Sequence, residues 1–474
     1  MSLATAPDRP TPATEPEPDS APTPQAGRNL LEYRPVARLL RSRWYPGVFQ
    51  WAAVAVFAAV VVYQLLLGPD SAHDNLGTAL VWVLWWPLIP IIFVALGRFW
   101  CAVCPFGKLS DLVQKLVGVR RPVPQFLKKY GIWIIDAQFI AITWADHVWG
   151  IVESPWGTGI LLLLLITAVV VSGAFFQRRT FCRYLCFFGG MAGNYARTGS
   201  LALRANTDIC KTCTSRAVCF NGGDKAPACP LFEFPRTMDS SANCNLCANC
   251  FKNCPNDAIT LTVRKPSSEL WFIRNPKIEQ SALAMAIMGI VLIQNITMLQ
   301  WWQTVLDWIA STTGITSYPV IFTIAFVAAL AAPVAAVWAA SDIAARRNVE
   351  TTAKNFARFG YALIPLDVAG HIAHNLFHLL AEGGSVFYTA LKMFGYDTGS
   401  TSAALVSTPT IQILQYLVLA AGIAGSAYTA YRIARSRYVQ IPVRRATLTP
   451  YLVVIGLFAV ANIVLFLLPM AHRM

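Results

Sequence analysis

The sequence predicts a mainly α-helical, polytopic membrane bundle of about nine spans, N-terminus inside and C-terminus outside, with a small cysteine-rich module inserted on the cytoplasmic side. Three observations carry that expectation. Of 474 residues, 55% are hydrophobic and only 13% are charged, whereas soluble domains carry about a quarter charged residues. Apolar runs of about 20 residues, enough to cross a bilayer, recur along the chain. Lys and Arg collect on one side of those runs.

In chain order, residues 1–46 form a tail and a basic juxtamembrane segment. The part up to residue 27 is rich in Pro, Thr, Ala and Glu, without apolar periodicity, and reads as disordered. It lacks the compact apolar stretch and cleavage site of a signal peptide. Arg34, Arg38, Arg41 and Arg43 follow, suited to anionic lipid. Residues 47–189 hold spans near 47–67, 77–98, 131–151 and 157–176, arranged as two hairpins. Residues 190–280 hold the cysteine module. Residues 281–474 supply spans near 281–300, 317–340, 357–380, 409–431 and 450–470. The third and seventh spans carry ionisable residues.

With the N-terminus inside, 36 of the 38 Lys and Arg lie in the inner segments or at the inner ends of their spans, leaving Lys392 and Arg473 outside. The short outer loops carry acids such as Asp70, Asp74, Glu153, Asp307, Glu382 and Asp397. The net charge of +14 is therefore an inside–outside asymmetry. It implies membrane lipid as a partner and no nucleic acid.

All twelve cysteines fall on the inner side, a reducing compartment where metal thiolates are favoured over disulfides. The sharpest signal is Cys244-x2-Cys247-x2-Cys250-x3-Cys254-Pro255. Three thiolates at this spacing wrap one 4Fe-4S cluster, and the fourth reaches the other cluster of a two-cluster ferredoxin. A single zinc ion suits such close spacing poorly. Upstream, Cys210-x2-Cys213-x5-Cys219-x9-Cys229-Pro230 is an expanded version of the same half-motif. The crossover rule assigns Cys210, Cys213, Cys219 and Cys254 to one cluster, and Cys244, Cys247, Cys250 and Cys229 to the second.

Two further pairs follow the membrane hairpins: Arg98-Phe-Trp-Cys101-x2-Cys104-Pro-Phe-Gly107 and Arg179-Thr-Phe-Cys182-x3-Cys186-Phe-Phe-Gly189. Residues 47–107 and 131–189 thus read as a degenerate internal repeat. Cys101, Cys104, Cys182 and Cys186 are candidates for a third iron–sulfur cluster or for two redox dithiols; free structural thiols are the plainer alternative.

These motifs, over roughly residues 45–265, resemble the membrane-bound 4Fe-4S polyferredoxins of the NapH/NosR/CcoG type. The resemblance implies an integral membrane electron-transfer protein, associated in some members with quinol oxidation and a reductase partner. The chain departs from the pattern in having Phe187 where a proline would follow Cys186. It also lacks the large outer flavin-binding domain of the NosR branch, and the four spans over 317–470 have no counterpart in the resemblance.

The seventh span carries Asp367, His371, His374 and His378 at offsets of 0, 4, 7 and 11, a narrow stripe on one helix face. Asp136, Thr143 and His147 form a similar stripe on the third span, and His147 and the three histidines are expected toward the outer half of the membrane. Ionisable groups inside a bilayer are expensive and usually functional. Three uses compete for this face: axial ligation of b-type haem, with His147 as the second-helix ligand; a copper-like ion held by imidazoles; or a quinone pocket in which His and Asp handle protons. A polar helix–helix seam is the structural alternative.

The leading expectation is a membrane electron carrier between a quinol or haem at the His/Asp face and 4Fe-4S clusters at the cytoplasmic face of the cell membrane, working with the quinone pool or a redox partner protein. In enzymatic terms that is a quinol-dehydrogenase-type component. The alternatives are a membrane metal reductase and a non-enzymatic iron–sulfur assembly or scaffold protein. No phosphate loop, Ser/His/Asp nucleophile set or Rossmann fingerprint occurs.

Overall fold

A computed structural model describes residues 27–215, 217–396 and 402–468. The tail expected over 1–27 lies outside these residues except for Gly27, as do Asp397 and Arg473. Seven helices are long and apolar enough to cross a membrane: α1 (Gly47–Leu67), α2 (Leu76–Leu96), α5 (Pro155–Phe175), α7 (Ile278–Thr297), α9 (Tyr318–Ala345), α11 (Thr408–Arg437) and α12 (Ile441–Leu467). Between them lie α3 (Pro105–Val117), α4 (Gln125–Trp149), α6 (Phe187–Tyr195), α8 (Trp301–Thr313) and α10 (Ile364–Ala381).

Proline sits in the first turn of α3, α5, α9, α10, α11 and α12. There its missing N–H is one that the helix start leaves unbonded anyway. Ser154 caps α5, its hydroxyl accepting from the Gly157 N–H at 3.0 Å. Gly150, at φ +61°, ends α4 in the left-handed region that a side chain would oppose.

The expected spans at 131–151 and 357–380 do not reach the apolarity of the other seven. The first lies within α4. The second is divided into a helix at Thr352–Phe359, a tight 3-10 turn at Gly360–Leu363, and α10. Both α4 and α10 nevertheless run beside apolar helices. Val119 and Arg121 donate to Ala174 and Phe175, so α4 begins near the end of α5 and leads through Gly150 to the start of α5. Leu366 N–H donates to Ser426 Oγ at 2.9 Å, and Gln415 donates to the Ala373 carbonyl at 2.9 Å, which sets α10 antiparallel to α11.

Helix α10 is the centre of the bundle. Asp367, His371, His374 and His378 are all buried with it, packed among α2, α7 and α11. Shielding by neighbouring helices explains how so polar a helix can hold its place. Close approach depends on small residues: a Cβ on Gly422 would collide with the Ala369 methyl, and one on Gly289 would come within 2.6 Å of the Ala329 carbonyl oxygen. The loops expected after α7 and α10 are partly helical, as α8 and Gly384–Met393.

The cysteine module is built on the antiparallel strands β1 (Leu201–Ala205) and β4 (Ile259–Val263), in the register Leu201↔Val263 to Ala205↔Ile259. The small pair β2 (Gly222–Gly223) and β3 (Ala226–Pro227) lies between them in sequence. Glu269 ties the module's base together, accepting from Arg204 and from the Ser241 N–H at 2.7 Å and forming an ion pair with Arg264 at 3.4 Å. The juxtamembrane segment clasps the module: Tyr45 donates to the Leu246 carbonyl at 2.7 Å, and the buried Lys252 amine donates to the Tyr45 carbonyl.

Candidate functional site

The two hairpin motifs fold alike. Cys101 and Cys182 ride on five-residue helices, Phe99–Val103 and Thr180–Tyr184. Cys104 and Cys186 occupy the residue just before α3 and α6. A sulfur at a helix start meets the free N–H groups of the first turn. Phe106 and Gly107 donate to Cys104, and Gly189 donates to Cys186. All four thiols converge: the charges of Cys182, Cys104 and Cys101 all act on Cys186.

Each hairpin also sends an arginine across. Arg179 lies against Gly107 of the first hairpin and is bound by both oxygens of Asp111, at 3.1 and 2.7 Å. Arg98 lies near Gly189 of the second hairpin and donates to the Ala242 carbonyl of the module. Arg179 is also close enough to act electrostatically on both Cys182 and Cys247, linking the hairpin site to the module.

Within the module, Cys244, Cys247, Cys250 and Cys229 act on one another. Cys254 and Cys213 act on both Cys210 and Cys219. Cys219 in turn acts on Cys250, so the two sets adjoin. The N–H groups of Glu233 and Ala258 point at Cys229 and Cys254, each at 3.3 Å. Such N–H to sulfur bonds suit iron-bound thiolates, whose negative charge they offset.

Burial pushes the Cys104 thiol up to about 12 and the Cys182 thiol up to about 11. Reactive redox dithiols work through lowered thiol values, and these two thiols are shifted the other way. Among the described residues no three His, Cys, Asp or Glu side chains are grouped to hold a single metal ion. A 4Fe-4S cluster has a different requirement, since each of its four thiolates binds a separate iron.

An apolar cavity of about 450 Å³ joins the cysteine end to the histidines. Cys101, Cys104, Cys182 and Cys186 line one part of it, and His374 and His378 another. Aromatic rings, among them Trp85, Trp86 and Phe188, make its walls. The wall also includes Val56 of α1, which is 60% exposed on the outside of the bundle.

The histidine stripe is divided among different partners. His371 Nδ1 and the Tyr195 hydroxyl are hydrogen-bonded at 2.9 Å, with Asp367 beside the same hydroxyl. His371 also faces Trp86, with ring centres 5.8 Å apart. His374 Nδ1 donates to Asn295 Oδ1 at 2.8 Å, and its ring lies 5.2 Å from that of His378. His378 Nδ1 donates to Glu382 at 3.0 Å. His147, in contrast, lies outside the cavity lining. It donates to its own helix at the Thr143 carbonyl, 3.0 Å away, faces Thr297 Oγ1 at 3.4 Å and stacks on Phe322 at 4.7 Å.

Sequence reasoning placed Glu382 in an outer loop, and the structure buries it at 2% exposure against His378. It extends the 0, 4, 7, 11 pattern of the stripe to 15, a signal available in the sequence. Tyr195 and Asn295 come from other helices, and nothing local in the sequence points to their pairing with histidines.

A family model described as a 4Fe-4S binding domain matches the chain twice, at residues 78–124 and 158–205. The similarity to that domain covers these two segments. The two matches fall one on each hairpin, and together they contain Cys101, Cys104, Cys182 and Cys186. Among curated proteins, the chain is 24% identical over 203 residues to YccM of Escherichia coli (strain K12), a protein named for a proposed role in electron transport. That alignment covers 38% of this chain and 55% of YccM, so the chain spans about half the length of that relative. It is 23% identical over 196 residues to the uncharacterized protein MJ0750 of Methanocaldococcus jannaschii, covering 37% of this chain and 76% of that one. No solved structure matches.

Proposed function

We propose that this protein exchanges electrons between a lipid-soluble quinol or quinone, bound in the central cavity, and 4Fe-4S clusters at the cysteine end. One observation carries the reading: a single apolar cavity is lined both by the four hairpin cysteines and by His374 and His378. Its size suits a quinone head group, and Val56 in its wall puts the lipid-exposed side of α1 in contact with it.

The clusters, when bound, accept and pass on single electrons. Cys101, Cys104, Cys182 and Cys186 would hold the one next to the cavity, Cys244, Cys247, Cys250 and Cys229 a second, and Cys210, Cys213, Cys219 and Cys254 a third. Arg179, between Cys182 and Cys247, offsets negative charge where the first two sites meet. The aromatic walls exclude water and hold a flat ring. His374, fixed by Asn295, presents an imidazole to a quinol hydroxyl.

Quinone is favoured over haem because the cavity's histidines come from one helix. Two axial ligands from one helix are hard to arrange, and His147 is engaged elsewhere. We read α4 and α10 as crossing with the seven apolar helices, giving nine spans with the cysteine module on the cytoplasmic side of the cell membrane. In that reading residues 47–189, 190–280 and 281–474 are the hairpin, ferredoxin and quinone-side parts.

The test uses purified protein in detergent. Menadione should quench the fluorescence of the cavity tryptophans, and its quinol should reduce the clusters, seen by electron paramagnetic resonance. Absence of both responses would sink the reading.

A further inference from the structure

The histidine end of the cavity does not close at His378. A second space of about 340 Å³ begins there, lined by His378 and Glu382 together with Asp70, His73 and Glu153. Trp82 and Val152 border both spaces. Asp70 and His73 lie on the connection between α1 and α2, and Glu153 lies between α4 and α5. These connections are at the opposite end of the helices from the cysteines, which follow the other ends of α2 and α5. One space is almost wholly apolar. The other is polar and acidic, and His378 is the imidazole that lines both.

We propose that His378 and Glu382 carry protons between the quinone cavity and the face opposite the cysteine module. The proposal rests on the quinone reading above and adds the side on which its protons are exchanged. Oxidation of one quinol breaks two O–H bonds and releases two electrons and two protons. The electrons pass singly to two oxidised iron–sulfur clusters, at the cysteine end. The first proton is accepted by the His378 imidazole at Nε2 while the proton that Nδ1 shares with Glu382 moves to the carboxylate. The ring turns over, restoring an N–H toward Glu382 and a bare nitrogen toward the cavity, before the second proton follows, and each time the carboxylate receives one proton. Glu382 then gives it to water among Asp70, His73 and Glu153. Quinone reduction runs the same route backwards.

The surrounding charges support this direction. The vestibule contributes carboxylates from Asp70 and Glu153 and the His73 imidazole, and the cavity side contributes Asp146. Asp74, on the same connection as Asp70, is engaged by Lys392 at 2.5 Å. Carboxylates at the vestibule attract protons and stabilise the imidazolium formed in transit. The cavity end at the cysteines instead has Arg98 and Arg179, which repel protons. Electrons and protons therefore leave the cavity at opposite ends.

The first arm of the test needs no turnover. His378→Cys protein in proteoliposomes is treated with a membrane-impermeant thiol reagent, with Ser71→Cys protein marking the vestibule side. All twelve native cysteines lie toward the other end, so a new label from the vestibule side reports position 378. The His378→Cys thiol should be labelled from the side that labels Ser71→Cys, and menadione should slow that labelling at least tenfold. No labelling from that side overturns the route. So does labelling that menadione leaves unchanged while it still quenches tryptophan fluorescence, which also shows that the variant is folded. Failure of menadione to quench even the unaltered protein overturns the quinone reading instead. As a second arm, Glu382→Gln should keep menadione binding and slow quinol oxidation about tenfold; an unchanged rate overturns the role of Glu382.

Discussion

The two membrane hairpins share a motif but spend their arginines differently. Arg179 is locked by a bidentate carboxylate on the other hairpin, whereas Arg98 reaches a single neutral carbonyl of the module. Arg179 therefore holds the hairpins together, while Arg98 joins the module beside Arg178 and Arg183, whose guanidinium groups lie over the module's Phe232 ring. A repeat that is symmetric in sequence has become asymmetric in use, because only one of the two arginines meets a carboxylate on the other hairpin.

The largest expected effect tests the symmetry itself. Cys104→Ser and Cys186→Ser should each remove about four of roughly twelve irons per chain, since one cluster would draw on both hairpins. Iron analysis checks this, and loss from one variant alone would break the comparison.

Next comes Asp111→Asn. Arg179 has a side chain 5% exposed, and removing its partner leaves a buried charge, at a cost of roughly 3 kcal/mol. Thermal unfolding in detergent should show it. Glycine substitutions follow. A Cβ at Gly189 would sit 2.7 Å from the rigid Cys182 carbonyl oxygen, and one at Gly107 would sit 3.0 Å from the Arg179 side chain. Gly189→Ala should therefore be the worse of the two, within the roughly 1–3 kcal/mol typical of overpacking. The same unfolding measurement ranks them, and the reverse order would contradict the geometry.

The smallest effect belongs to the surface. Arg41 and Asp257 pair at 2.7 Å with side chains 56% and 73% exposed, so Asp257→Asn should cost less than about 1 kcal/mol. A larger loss would mean that the juxtamembrane clasp depends on this pair and not on Tyr45 and Lys252.

Much of the fold was legible in the sequence because a bilayer imposes long, contiguous signals. Helices α1, α2, α5, α7, α9, α11 and α12 lie where apolar runs fall, the largest difference being at α12, which starts at Ile441 where the run was placed from 450. Helix α10 was legible as a polar stripe, but its place at the centre of the bundle was not. The grouping of the hairpin cysteines followed from their repeat, and the family match falls on those same segments. Glu382 lies just past the end of α10, where the sequence put it, but its burial against His378 was not legible, because an acid at a helix end looks solvent-exposed until its neighbour is known. The pairing of Tyr195 with His371 lay beyond reach, since 176 positions separate them.

By itself the sequence determined the helical class, the clustering of thiols on one side and the presence of ionisable groups within apolar segments. Each of these is written locally, in spacing and composition. The tertiary structure decided which of those groups share a space: His374 and His378 with the cysteines, His371 with Tyr195, and His147 with neither. That choice depends on how the helices pack against one another, and periodicity along a single helix carries no information about the face of its neighbour.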